Sequence, residues 1–227
     1  MKSLCSYICE SGKLEKFKQQ YSARYSRVSH NITPSHKILV ITQCTKTKNE
    51  KGKNEAIPAH ELYLGEGGTR FLKDVLPEQP VDWIIISGGY GVISHDTKIR
   101  YYMDNIHSLN DGDLADMSDF LKWQKDIMSI LKKGQYNTVV LCCSQFYISA
   151  LDLNEFADEF PDTEFVVFGD GIDAPEKFTC IDITLKAKEK FHAGSVFIKE
   201  KITCDWLEYI KNHKYININQ FVKKIVG

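Results

Sequence analysis

The chain has 227 residues, 43% of them apolar, and a formal net charge of −1, enough to bury a core as one domain with an appendage. No apolar run approaches the roughly 18 residues that span a bilayer, and residues 1–25 lack the apolar centre of a signal peptide, so no membrane partner and a cytoplasmic location are expected. The seven cysteines are odd in number and form no Cys-x-x-Cys pair, and no His, Cys and carboxylate set has metal-ligand spacing, which points to reduced thiols and no metal or other cofactor.

Residues 1–53 hold eleven Lys or Arg against three Glu, so a basic first quarter precedes an acidic remainder. Within it Leu14, Phe17, Tyr21, Tyr25 and Val28 recur at helical spacing, which predicts an N-terminal helix packing on the body. Lys13, Lys16, Arg24 and Arg27 surround that face and, with Lys48, are the candidate nucleic-acid-binding residues; a solvated helix face would carry the same charges. Pro34 marks a connector, and the chain divides into a basic helical extension, 1–35, and a single α/β domain, 36–227.

The run KILVIT at 37–42 is too apolar for a surface strand and reads as the first central strand. Residues 45–54, Lys-rich and almost without apolar side chains, read as a mobile loop. Glu66-Gly67-Gly68 then opens a helix through Phe71, Leu72 and Val75, where two glycines would let an anion approach the backbone amides or would simply make a tight turn. A second strand over 83–86 stops at Ser87-Gly88-Gly89-Tyr90-Gly91 and releases polar side chains, as strands do at a ligand-binding rim.

Residues 113–132 carry a helical stripe with Asp113 and Asp116 in the first turn and Gly134 just past the end. TVVLCC at 138–143 is a third strand, ending at Ser144-Gln145 before a helix with Phe146, Tyr147, Ala150 and Leu151. Further strands are expected at 164–168 and 178–184, and helices around Ile202, Trp206, Leu207 and Ile210 and around Phe221, Val222 and Ile225. Strands alternating with helices imply a doubly wound, mainly parallel sheet with helices on both faces.

Three strand exits together carry a resemblance. Cys44-Thr45-Lys46-Thr47-Lys48, Pro58-Ala59-His60-Glu61-Leu62-Tyr63-Leu64-Gly65 and Ser87-Gly88-Gly89-Tyr90-Gly91-Val92-Ile93, with Asp96-Thr97 and Tyr102, resemble the YaaA-type peroxide-stress family. They are closer still to a related family with a Cys-Ser-Lys-Ser-Lys loop and a Pro-Ala-Arg-Glu-Leu-Tyr segment. The similarity continues at 141–151 and weakly at 186–202. His60 stands where a basic residue is usual, Tyr101 stands where a proline is usual, and the basic N-terminal helix has no counterpart. The resemblance implies a uracil-DNA-glycosylase-like core, as in archaeosine synthase, and a link to DNA binding under oxidative stress or to chemistry on nucleobases; fold-level likeness leaves the function to be argued from the site.

Cleaving an N-glycosidic bond requires stabilising a cationic sugar and a departing base, with the nucleotide taken out of the stack. Asp96 or Asp104 would stabilise the cation or activate water, and Lys46 would donate to the leaving base or act as an amine nucleophile. Tyr63, Tyr90 and Tyr102 would stack on the base, Ser144 and Gln145 would hold its edge, and Gln43, Cys44 and Gly89 would complete the pocket. Each has a blander reading: Lys46 as a solvated charge, Asp96 as a turn cap, Tyr90 as rim packing. Cys44 ranks below Lys46 as a nucleophile, because the YaaA family has proline or serine near this position. The leading expectation is an N-glycosidase acting on a modified base in double- or single-stranded DNA, a chemistry suited to defence against phage. The alternatives are a non-catalytic DNA-binding stress protein and a lysine-dependent transferase on a 7-deazaguanine-type base.

Overall fold

The computed structural model describes residues 13–65, 72–103, 120–169, 172–194 and 197–227, with side chains at all of these except 13–16 and 77. It is a mixed α/β fold around a six-stranded, mostly parallel sheet with helices around it, the doubly wound class. The strands are β1 (Ile38–Gln43), β2 (Ile57–Pro58), β3 (Asp82–Ser87), β4 (Gly91–Ser94), β5 (Lys98–Ile99), β6 (Thr138–Cys142), β7 (Glu164–Phe168) and β8 (Thr179–Ile181). The main sheet has the order β4-β3-β1-β6-β7-β8, while β2 and β5 form a separate antiparallel pair.

Burial explains the apolar runs. In β1, β3 and β6 nearly every residue is buried, as expected for central parallel strands covered on both faces. Only β4 runs antiparallel, pairing with β3 from Ser87↔Gly91 to Ile84↔Ser94. The glycine cluster after β3 is therefore a hairpin turn as well as a strand exit. Gly91 adopts φ +79°, and a Cβ there would meet the Tyr25 ring at 2.7 Å, so both backbone and packing favour glycine.

The described helices are α1 (Lys13–Tyr25), α2 (Ala59–Leu62), α3 (Trp123–Gly134), α4 (Gln145–Ile148), α5 (Leu153–Glu159), α6 (Leu185–Lys190), α7 (Ile198–Asn212) and α8 (Ile218–Val226). None of the described helices is long and apolar enough to cross a membrane.

Helix α1 packs closely on the body. The Tyr21 hydroxyl donates to the Leu121 carbonyl at 2.5 Å, and the Tyr25 hydroxyl lies 3.0 and 3.1 Å from the two Asp126 carboxylate oxygens. Tyr25 also stacks on His30 at 3.7 Å, and His30 reaches the Val92 carbonyl at 2.8 Å. Past the helix, Asp82 accepts from the backbone and hydroxyl of Ser35, the His36 amide and the Tyr136 hydroxyl, tying the connector to the start of β3.

Several local expectations are corrected. The Lys-rich segment 45–54 is held in place: Asn49 caps a 3-10 turn at Glu50–Lys53, and buried Gly52 accepts from the Tyr101 amide. After the undescribed residues 66–71, Leu72 begins one short 3-10 turn and Val75 caps the start of the next, in place of one continuous helix. The expected helix over 113–132 lies partly outside the described residues, and its described portion runs on to Gly134.

Candidate functional site at the carboxyl ends of the central strands

β1 lies between β3 and β6. The chain leaves β1 to build β3 and β4 on one side, then returns to place β6 on the other. In doubly wound sheets such a reversal opens a crevice at the carboxyl ends of the two strands flanking it. Here the two exits are linked: the Ser144 amide and hydroxyl both donate to Oε1 of Gln43, at 2.6 and 2.8 Å. Gln145 begins α4 and is exposed.

Beside this link lies a buried polar cluster. The Tyr63 hydroxyl is 2.7 Å from the Ser87 hydroxyl and 3.1 Å from the Tyr102 hydroxyl, and Ser87 and Tyr102 are 3.2 Å apart. Ser87 Oγ also accepts from the amides of Gly89 and Tyr90, which fills its two lone pairs. Its own proton is then best placed on Tyr63, the nearest acceptor, and Tyr63 can donate to Tyr102. The hairpin turn thereby holds the three hydroxyls in one hydrogen-bonded set, in which either phenol of the Tyr63–Tyr102 contact can donate.

Cys44, the first residue past β1, extends the cluster. Its Sγ accepts from the Gly88 amide at 3.3 Å and lies 3.1 Å from the Tyr147 hydroxyl. Burial first, and then any negative charge on Cys44, hold the phenols of Tyr63, Tyr102 and Tyr147 well above their usual range. At neutral pH they remain O–H donors.

The aromatic candidates are brought together, but not as open stacking platforms. Tyr63, Tyr90 and Tyr102 are buried. Lys48 lies 4.3 Å from the Tyr102 ring centroid, Arg24 lies 5.3 Å from it, and Tyr90 meets it edge-on at 5.5 Å. A Cβ at Gly89 would overlap that ring. The Tyr90 hydroxyl sits 3.2 Å from both the amide and the carbonyl of Arg100, fastening the segment that carries Tyr102. Their expected stacking role is replaced by packing, with hydrogen bonding left to the phenol tips.

The cationic candidates separate in the same way. Arg24 Nε donates to the Gly89 carbonyl at 3.0 Å, so this arginine of α1 braces the hairpin turn. Lys48 is half-buried against Tyr102, whereas Lys46 and Arg27 are exposed. Lys13 and Lys16 lie in α1, but their side chains fall outside those described, and Asp104 lies outside the described residues altogether.

Asp96 is not part of the cluster. β4 runs back along β3, so Ser94 pairs with Ile84 near the start of that strand, and Asp96 follows in an exposed turn. Three residues of strand, about 10 Å, separate the Ser87–Gly91 pair from Ser94. The antiparallel hairpin, invisible in an apolar run that stops at glycines, carries Asp96 away from the rim. His60 and His95 stay together in the β4–β5 region, with His60 Nδ1 2.8 Å from the His95 carbonyl.

Reading the sequence for site residues passed over Ser87, Tyr147, Lys199 and Glu200. Ser87 and Tyr147 stand at strand exits and were detectable by position. Lys199 and Glu200 lie in the first turn of α7, are 8% and 0% exposed, and sit in a Lys-rich stretch that looks like a solvated helix face. Among the described residues no cluster of three or more His, Cys, Asp or Glu is placed to hold a metal.

No protein-family model matches this chain, and no curated protein matches it either. Among solved structures, the crystal structure of AF0587, a protein of unknown function, aligns with 91% of this chain at 13% identity and a TM-score of 0.39. This chain spans 53% of that one.

Proposed function

We propose that this protein is a DNA glycosylase-like N-glycosidase that releases a modified base at the rim formed by β1, β3 and β6. The observation that carries the reading is the convergence of Cys44, Tyr63, Ser87, Tyr102 and Tyr147 from separate segments into one buried hydrogen-bonded set at the strand reversal. A departing base gains negative charge, and donors ordered before the reaction stabilise that charge without reorganising. Phenols held in their protonated form suit this task, and Tyr102, the member of the set packed against Lys48, is the donor assigned to the base. Lys48, packed on Tyr102, adds positive charge beside it.

The cationic sugar requires a carboxylate or an activated water on its other side. Asp96 is too far along the hairpin, so we assign this role to Asp104, two positions beyond Tyr102 in the chain. Lys46, exposed in the loop after β1, is assigned to the nucleic-acid backbone.

Incubating the protein with unmodified and base-modified DNA, single- and double-stranded, and scoring abasic sites tests the reading. Release from a modified substrate, lost in Tyr102→Phe, supports it. Folded protein that binds these DNAs and releases nothing from any of them overturns it, and favours a non-catalytic DNA-binding role. A covalent adduct at Lys46 under turnover would instead favour amine-dependent transfer.

A further inference from the structure

The two edges of the six-stranded sheet differ. At the β4 edge Tyr25 of α1 packs against Gly91, and the Val92 carbonyl meets the His30 ring at 2.8 Å. At the opposite edge β8 pairs with β7 alone, in the register Val166↔Thr179, Val167↔Cys180 and Phe168↔Ile181. The Gly169 amide donates to the Ile181 carbonyl at 3.1 Å, so Ile181 turns its main-chain groups toward β7. These groups alternate sides along a strand. The amide and carbonyl of Cys180, an exposed residue, therefore point away from the sheet, where a further strand would lie.

A groove of about 380 Å³ runs beside this edge, between β8 and helix α8. Cys180 and Ile181 line its strand side, Val222 and Val226 its helix side. Lys186 of α6 and Lys223 of α8, both exposed, line it too. Lys186 also donates to the Gly227 main-chain oxygen at 2.7 Å, which ties α6 to the end of α8 and holds the groove's shape. Leu185, 77% exposed, precedes Lys186 and adds apolar surface next to it.

Charge and shape together select an occupant. Asp182 is the one acidic side chain among the described lining residues, against Lys186 and Lys223, and exposed Lys190 follows Lys186 by one helical turn on the same side of α6. The groove is therefore complementary to an acidic partner. Nucleic acid would satisfy the lysines but has no peptide groups with which to continue the sheet. An extended peptide meets both demands: its main chain pairs with Cys180, alternate side chains reach Val222 and Val226, and its carboxylates meet the lysines.

We propose that this groove docks an extended acidic peptide of another protein, added to the sheet as a strand beside β8. Since β8 has only three residues, few ladder bonds are available, and the apolar and lysine contacts supply the rest of the affinity. The proposal rests on no part of the glycosidase reading: β8 lies two strands beyond β6, away from the rim.

The test selects a random-peptide display library on the wild-type protein after depletion on Cys180→Pro. That change removes the outward amide at an edge position, where proline is tolerated. Enriched peptides are expected to combine acidic residues with alternating β-branched ones. The most enriched peptide, synthesised with a fluorescent label, is expected to bind saturably by anisotropy and to slow hydrogen exchange of the Cys180 amide. Lys223→Glu is expected to weaken it roughly tenfold or more, the scale of a charge-assisted hydrogen bond. N-methylation at alternate positions of the peptide is expected to abolish binding. Should Cys180→Pro not fold, depletion on Lys223→Glu carries the same comparison.

Failure to enrich any peptide overturns the proposal. So does an enriched peptide that binds Lys223→Glu as tightly as wild type, or one that leaves Cys180 exchange unchanged. A DNA oligonucleotide that binds through Lys223 while no peptide is enriched overturns it in favour of a nucleic-acid surface.

Discussion

Ser144 donates twice to one atom, Oε1 of Gln43, through its amide at 2.6 Å and its hydroxyl at 2.8 Å. These residues end or follow the two strands between which the sheet reverses direction. One side-chain oxygen thus fixes the spacing of β1 and β6 at their carboxyl ends. Cys44, which follows Gln43, and Cys143, which precedes Ser144, are positioned by the same link.

Replacing Gln43 with Leu should therefore destabilise the fold by about 1–3 kcal/mol, the cost of leaving polar partners without their acceptor. Gln43→Glu retains an acceptor at the same place and should lose less. Urea unfolding of the two variants and the wild type measures both effects. Equal stability of wild type and Gln43→Leu would show that the link does not hold the strand exits.

The Tyr63, Ser87 and Tyr102 hydroxyls form a closed set of short contacts, so their contributions should not add. Tyr63→Phe removes the acceptor nearest Ser87 and should cost about 1–3 kcal/mol. Tyr102→Phe leaves the 2.7 Å Tyr63–Ser87 bond in place and should cost less. In a double-mutant cycle the combined loss should fall short of the sum, and strict additivity would mean that the three hydroxyls do not act as one set.

The central strands were readable because parallel strands covered on both faces must be apolar throughout, as in Ile38–Gln43 and Asp82–Ser87. Cys44, directly after β1, followed from that, whereas Tyr63 and Tyr102, which follow α2 and β5, came from the motif resemblance. The hairpin was not readable. Gly88 and Gly89 mark a strand's end equally well whether the chain departs or turns back, and the difference decides where Asp96 goes. Nor does local sequence distinguish Lys199 from Lys201 two residues later. One is buried beside β6, while the other bonds Asp205 near the surface at 2.5 Å, a distinction made by tertiary packing. Helix α5, started by an Asp152 cap that accepts from the Asn154 and Glu155 amides, went unread because it is only two turns long.

His95 makes a pH prediction. Burial, its largest influence, lowers its pKa below the ordinary histidine value, though Asp96 and the Trp83 carbonyl act the other way. The folded state thus resists protonation of this ring, while the unfolded chain accepts a proton near pH 6.5. Its contribution is fully present above that pH and is lost as pH falls through the lower, folded-state pKa. His95→Gln keeps a polar group but does not titrate, so the stability gap between wild type and variant should narrow as pH is lowered from about 7.5 to 5.5. Denaturant titrations at several pH values check this, and a gap that widens on acidification would reverse the assigned direction.

The two aspartates of the Asp96–Asp104 stretch make opposite predictions. Asp96 lies in an exposed turn after Ser94, on the far side of the hairpin from Ser87, and its charge acts on His95 rather than on the phenol cluster. Asp96→Asn should leave base release nearly unchanged. Asp104 follows Tyr102 by two positions, and Tyr102 is held at the rim by Tyr63, Ser87 and the Tyr90 grip on Arg100. If Asp104 supplies the carboxylate, Asp104→Asn should lower the single-turnover rate by roughly 10²- to 10⁴-fold, the usual range for removing a positioned acid or base. Binding should be nearly unaffected, because a carboxylate that faces a developing cation acts mainly in the transition state. Rapid-quench measurement of abasic sites, with DNA binding measured alongside, separates the two effects. Equal losses in both variants, or a loss in Asp96→Asn alone, would place the working carboxylate on the other arm of the hairpin and contradict the site built here around Ser87.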